Sequence, residues 1–66
     1  MNIVEAFNKL KENPKLKIQF EDRKFIEIEG KLYCSFNNKA YIHVGFVDEY
    51  CFSYIEIMST DWEVVE

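Results

Sequence analysis

The sequence predicts a small α+β domain, in which an N-terminal amphipathic helix packs on an antiparallel β-sheet of four to five strands and a short helix precedes the last strand. Three observations predict this class. Apolar residues open the chain at helical spacing, segments that alternate apolar and polar residues follow, and turn-forming residues separate those segments. With 66 residues, 48% of them hydrophobic and 17% aromatic, the chain suits one folded domain, residues 1–66.

The first element is a helix over "NIVEAFNKLKENP". Three of its apolar residues share a face because they are four and three residues apart: Ile3, Phe7 and Leu10. Asn2 can cap the N-terminus, and Glu5, three residues later, can complete a capping box. Asn13 and Pro14 end the helix, because proline disfavours helical backbone in the residue before it. A helix this short needs a surface to pack on.

That surface is a predicted sheet. Four segments carry the alternating pattern of strands: "LKIQF", "KFIEIE", "KLYCSF" and "AYIHVGFV". The turns between them are at Glu21-Asp22, Glu29-Gly30-Lys31 and Asn37-Asn38. Short turns between neighbouring strands predict an antiparallel meander.

Residues 50–59 fit either a strand or a short helix. Ser53 with Glu56 three residues later forms the pattern of a capping box, which favours a helix over residues 54–59. A last strand follows, in which Trp62 is expected to anchor the end of the chain by burying its ring in the core.

Charge is distributed unevenly along the chain, whose net charge is −4. All eight basic residues lie in residues 1–39, whereas residues 40–66 hold six acids and no Lys or Arg. An acidic segment repels phosphate backbones, so no direct nucleic-acid partner is expected, and a basic protein surface is the expected partner. The candidate binding residues are acidic and aromatic: Asp48, Glu49, Tyr50, Tyr54, Glu56, Asp61 and Glu63. An ordinary solvated face is the alternative interpretation of these residues.

No pattern for catalysis, a metal or a cofactor stands out. His43 lies in a predicted strand, and the two cysteines, Cys34 and Cys51, have no metal-ligand spacing and are each expected to be small buried hydrophobes. The two glycines are far apart in the sequence, whereas phosphate-binding loops have several glycines at short spacing. An enzyme is therefore the least favoured class. The sequence has no apolar run of about 20 residues and no signal-peptide layout, so a cytoplasmic protein is expected.

The chain resembles a group of very small phage and prophage proteins at "VEAFNKLKE" and "DWEVVE". That group includes proteins related to the Thoeris anti-defence family, which sequester cyclic nucleotide immune signals, and relatives reported as CRISPR inhibitors. The family usually continues with a basic strand, an Arg and then a Trp, where this chain has "KLKIQFEDRKF". No ligand residue is carried over for that reason.

The resemblance implies a phage-encoded inhibitor that occludes a component of bacterial immunity in the host cytoplasm. Its partner would be a host defence protein with a basic or nucleic-acid-binding surface, and reversing Glu49 and Glu56 to Lys is expected to weaken binding without unfolding the protein. Sequestration of a cyclic nucleotide is an alternative that needs a cationic pocket, built across an oligomer interface from Lys17, Arg23, Lys24 or Lys31. A small homo-oligomeric accessory protein is a further alternative.

Overall fold

The computed structural model describes residues 1–65 and has two helices and five strands. In chain order they are α1 (Ile3–Glu12), β1 (Lys17–Phe20), β2 (Arg23–Ile28), β3 (Lys31–Phe36), β4 (Ile42–Phe46), α2 (Tyr54–Met58) and β5 (Glu63–Val65). The predicted α+β class is confirmed, as is a helix rather than a strand in residues 50–59. Glu66, the last residue of the "DWEVVE" segment, lies outside the described residues.

α1 begins and ends where its local sequence predicts. The side chain of Asn2 accepts a hydrogen bond from the Glu5 amide (2.9 Å), and Glu5 accepts one in return from the Asn2 amide (3.1 Å). Ala6 and Leu10 are fully buried against the sheet. The helix therefore satisfies its first amides by itself and is attached to the molecule by its apolar stripe.

The sheet has the strand order β4-β3-β2-β1-β5, and every neighbouring pair is antiparallel. The predicted meander of the first four strands is confirmed. The turn between β2 and β3 places Glu29 (φ 52°) and Gly30 (φ 82°) in the left-handed region, as a tight hairpin turn requires. Asn37 (φ 52°) and Asn38 (φ 60°) do the same after β3. The last strand, β5, returns to the opposite edge and pairs with β1.

The core lies between α1 and one face of the sheet. Its buried apolar residues are Ala6, Leu10, Ile18, Phe20, Phe25, Leu32, Cys34 and Trp62. Trp62 is 1% exposed, and its ring stacks on Phe20 with centroids 5.1 Å apart. Its amide donates to the Met1 carbonyl (3.1 Å), which joins the two ends of the described chain. The predicted anchoring role of Trp62 is confirmed.

One prediction about the cysteines is wrong. Cys34 is buried on β3, as expected, but Cys51 is exposed in the segment between β4 and α2. Sequence patterning does not separate these cases, because Cys51 lies in an apolar run, "YCFSYIEIM", whose other members also differ in burial.

Neither helix described in residues 1–65 has the length and apolarity that crossing a membrane requires.

Candidate functional site

α2 is positioned by a capping box like that of α1. The Ser53 hydroxyl lies 3.4 Å from the Glu56 amide, and the Glu56 carboxylate accepts hydrogen bonds from the Ser53 amide and hydroxyl, both at 2.9 Å. These bonds fix the start of a helix of five residues, which has too few turns to persist alone. The predicted Ser53–Glu56 capping box is confirmed.

Glu56 is also the residue through which α2 contacts the interior. It is 4% exposed, and its Oε2 lies 2.9 Å from Nη1 of Arg23 on β2, an ion pair without the alignment of a hydrogen bond. Its main-chain carbonyl accepts a hydrogen bond from the Trp62 indole (2.9 Å). Removing this carboxylate would leave the partly buried guanidinium with the more distant Asp22, 4.0 Å from its Nε, as its counter-charge.

These contacts correct the predicted role of Glu56. A residue with its side chain inside the molecule cannot meet a partner, so Glu56 leaves the candidate surface. The structure also argues against the expectation that reversing Glu56 to Lys keeps the fold intact, because a lysine there would oppose Arg23 in a buried position.

With Glu56 turned inward, the remaining residues of α2 face solvent. Their side chains are exposed to an unusual degree for apolar groups: Tyr54 76%, Ile55 67%, Ile57 51% and Met58 63%. Tyr54 was a predicted binding residue, whereas the two isoleucines and the methionine were missed. Their sequence signal is that of a core, since apolar residues around a helix ordinarily predict burial.

A groove runs beside this surface, between α1 and α2. It has a volume of about 260 Å³ and is lined by Ile3, Val4, Phe7, Lys11, Val47, Phe52 and Ile57. Val4 is 63% exposed at its mouth. The apolar surface of α2 therefore continues into a concave site that can accept a partner's side chain.

The predicted acids occupy three places. Asp48 and Glu49 are exposed in the turn after β4, and Asp61 is exposed between α2 and β5. Asp48 accepts a hydrogen bond from the Lys11 ammonium (2.8 Å). This hydrogen bond and the negative charge of Asp48 raise the pKa of Lys11. Glu63 lies apart, because its pairing with Gln19 places it on the sheet face away from the helices.

Tyr50 is half-buried and packs against the core. Its ring packs edge-on against Phe52, with ring centroids 4.5 Å apart. The ring also lies close to Gly45: a Cβ atom added to this glycine would be 3.4 Å from Cδ1 of Tyr50. Burial, and then the negative charge of Glu56, raise the pKa of Tyr50. Of the seven predicted residues, five are exposed, and with Glu63 set apart on the sheet four remain: Asp48, Glu49, Tyr54 and Asp61.

Residues with catalytic potential are dispersed. His43 is exposed on β4, and Cys34 is buried beneath α1, where burial raises the pKa of its thiol and keeps it protonated. In residues 1–65, no three His, Cys, Asp or Glu side chains lie close enough together to hold a metal ion.

Comparison of the chain with protein-family models, with curated proteins and with solved structures found no match.

Proposed function

We propose that the protein is a phage-encoded anti-defence inhibitor that binds a bacterial immune protein through α2 and occludes a functional surface of that protein. The observation that carries the binding role is the exposure of four apolar side chains on α2, each more than half exposed. Folded monomers seldom leave such residues together in solvent unless the surface has a partner. The phage and anti-defence parts of the proposal are supported by the resemblance at "VEAFNKLKE" and "DWEVVE".

The segments of chain on either side of α2 are acidic. Glu49 and Asp61 flank α2 in the chain, and the sequence has no Lys or Arg after Lys39. Carboxylates around an apolar centre favour a partner with a complementary basic rim, because opposite potentials speed association and select against wrong partners. The nucleic-acid channels of immune nucleases are basic, and a protein docked over such a channel would exclude the nuclease's substrate.

The groove between α1 and α2 can accept an apolar side chain of the partner. An apolar side chain inserted between Val4 and Ile57 would lose contact with water on several sides, as binding hot spots do. Lys11, at the same groove, is already paired with Asp48, so its charge is compensated. Apolar contact at the centre and carboxylates at the rim together describe a protein-binding surface rather than a catalytic cleft.

The cations that nucleotide sequestration would need are divided between the two faces of the sheet. Arg23 is committed to Glu56 on the helix side, whereas Lys17, Lys24 and Lys31 lie on the other face by strand register. Within one copy of the chain they do not form a single pocket. Protein contact therefore has more support than sequestration.

The test is phage plaquing on bacteria that carry one defence system at a time, with and without this protein. Restored plaquing against one system supports the proposal, and the double variant Tyr54→Ala/Ile57→Asp should abolish that effect. The matched control is Glu12→Lys, a charge reversal of an exposed acid at the end of α1, which should leave inhibition unchanged. Plaquing that is unaffected in every host, or equal for all variants, would remove α2 as the inhibitory surface.

A thermal shift with cyclic nucleotides separates the alternative. A ligand at a hundred times its dissociation constant adds about 2.7 kcal/mol of stability. Sequestration would be favoured by two results together: a cyclic nucleotide that stabilises the protein by about this amount, and a Tyr54→Ala/Ile57→Asp variant that inhibits as well as the wild type.

A further inference from the structure

The face of the sheet that points away from α1 and α2 has a composition unlike that of the rest of the molecule. Cross-strand partners share a face, so the register assigns its members. We call it the outer face, and its central and flanking residues are Lys17, Gln19, Lys24, Ile26, Ile28, Lys31, Tyr33, His43, Phe46, Glu63 and Val65. Both helices described in residues 1–65 lie on the opposite side.

Three rings on β3 and β4 form a continuous cluster on this face. The ring centroids of Tyr33 and His43 are 5.3 Å apart, and those of His43 and Phe46 are 5.9 Å apart. Phe46 is 50% exposed and His43 is exposed as well. Tyr33 is half-buried, so the cluster presents the rings of His43 and Phe46 and part of the Tyr33 ring to solvent.

The charges on the outer face have the opposite sign to the molecule's net charge. It carries three lysines and one carboxylate, while the whole chain has a net charge of −4. Lys31 is the direct cross-strand partner of Phe46 and is two residues from Tyr33 on the same strand. Lys24 donates to the amide oxygen of Asn38 (2.8 Å), a neutral partner that leaves its charge uncompensated. Glu63 lies on β5, at the edge opposite the rings.

We propose that the outer face binds single-stranded nucleic acid, with bases stacked on the rings of Tyr33 and Phe46 and phosphates held by the lysines beside them. Exposed rings on a sheet, next to cations, are the arrangement by which single strands are bound without sequence preference, because every base has a π-face. Two copies of this chain meeting face to face would instead oppose lysines with lysines, which disfavours a second copy as the occupant.

This surface is separate from the acidic one. The expectation of no nucleic-acid partner came from residues 40–66, a segment that also supplies His43 and Phe46. Among its acids, Asp48 is paired with Lys11 of α1 and Glu63 lies on β5 at the opposite edge of the sheet, whereas Glu49 is close to the ring cluster, since its amide donates to the Phe46 carbonyl (3.0 Å). An acidic helix side and a basic sheet side on one small domain allow it to contact a protein and a nucleic acid at once. The nucleic-acid site does not depend on the proposed anti-defence role.

The experiment measures fluorescence anisotropy of labelled single-stranded oligomers of about 12 nucleotides, one of deoxythymidine and one of uridine, with the whole protein. We expect both to bind and a duplex of equal length to bind more weakly, since paired bases cannot stack on the rings. With Lys24 and Lys31 engaged, the two lysines on or next to β3, the logarithm of the affinity should fall with the logarithm of salt at a slope of about −1.4 between about 50 and 200 mM.

Tyr33→Ala/Phe46→Ala should weaken binding roughly 5- to 150-fold for each base that loses its ring. The matched control is Phe36→Ala, which removes a half-exposed ring from the same strand on the opposite face and should leave the affinity unchanged. If the double variant does not fold, Lys31→Ala provides a second test, with the salt slope expected to fall by about 0.7 and Lys9→Ala on α1 as its control.

Several outcomes would overturn the proposal. No anisotropy change with either oligomer at low salt would do so, as would equal affinity for the duplex or an unchanged affinity in Tyr33→Ala/Phe46→Ala. Light scattering that shows a dimer which Phe46→Asp dissociates would assign the outer face to a second copy of the chain instead. Binding of uridine but not deoxythymidine oligomers, or the reverse, would keep the site and identify the nucleic acid.

Discussion

The two helices bury opposite kinds of residue. α1 is attached by Ala6 and Leu10, which are fully buried on its apolar stripe, and its charged residues remain in solvent. Of the five residues of α2, Glu56 is the buried one, and the apolar residues remain in solvent. One helix follows the hydrophobic pattern and the other inverts it.

The inversion has a physical basis in how each helix is anchored. α1 gains stability by removing apolar area from water, which tolerates small changes of shape. α2 depends on a few directed contacts of one residue, and the two made by its side chain, to Ser53 and Arg23, are lost together if Glu56 is replaced. A helix attached by a polar anchor is free to use its apolar residues for binding. Four substitutions or conditions can break or sharpen this comparison.

The largest effect is expected for Glu56→Lys. Removing one partner of a buried ion pair costs about 3–5 kcal/mol, and a second cation beside Arg23 adds to that cost. A domain of this length has little more stability than that to lose, so the variant should be unfolded. Far-ultraviolet circular dichroism measures this. Glu56→Gln also removes the charge, but it keeps an oxygen for the Ser53 bonds and adds no second cation, so it should lose less stability than Glu56→Lys. A folded Glu56→Lys would show that α2 has no polar anchor.

Leu10→Ala tests the apolar anchor of α1. The substitution leaves a cavity beneath the helix and should lower the free energy of unfolding by about 2–5 kcal/mol. Urea denaturation followed by the fluorescence of Trp62 measures it. The matched control is Val4→Ala, on the same helix at a residue 63% exposed, where a change under about 0.5 kcal/mol is expected. Equal losses in both variants would contradict the assigned stripe.

Alkaline pH should weaken the shared core by ionising the buried thiol of Cys34, which lies in one cluster with Ala6 and Leu10. Burial raises the pKa of Cys34 above the 9.0 of a free thiol; the positive charge of Arg23 opposes this rise, and the negative charge of Glu56 adds to it. A raised pKa in the folded state stabilises the protein fully below pH 9.0, and this contribution is lost as pH rises through the folded value.

The loss is limited to about 1.4 kcal/mol per pH unit for one group. It should appear as a falling thermal midpoint above pH 9.0. Cys34→Ala should fall less steeply over the same range, although it starts from a lower midpoint. A wild-type midpoint that stays constant would contradict the burial effect.

The smallest effect is expected for Ile55→Ala on α2. Its side chain is 67% exposed, so little burial is lost, and alanine is the better helix former. The free energy of unfolding should change by less than about 0.5 kcal/mol in urea denaturation. A loss of 2 kcal/mol or more, as estimated for a buried side chain, would mean that the apolar side of α2 is covered in solution.

Much of the fold could be predicted from the sequence because its signals are local. The capping boxes at Asn2 and Ser53 each require residues three positions apart, and the turn at Glu29-Gly30 requires a left-handed backbone that glycine adopts freely. Both kinds of signal are read within one stretch of chain. The bounds of α1 and α2 and the order of the hairpins followed from them.

The candidate site was predicted only in part. Tyr54 and Glu49 lie on the expected surface, whereas Glu56 and Tyr50 are directed inward and Glu63 lies on the outer face. Burial depends on contacts with residues far away in the chain. The Glu56 side chain is held by Arg23, which lies 33 residues earlier in the sequence. No local sequence pattern predicts a pair of residues this far apart.

The sequence by itself determined the elements of this protein: the capped helices, the alternating strands, the turns and the anchoring role of Trp62. Periodicity and capping follow from covalent spacing, so they need no knowledge of the partner elements. Tertiary structure alone decided that β5 pairs with β1, that Glu56 is buried and that the apolar side of α2 and the outer face stay open. The reason is that a residue's environment is set by what packs against it, and packing joins residues that are distant in the chain.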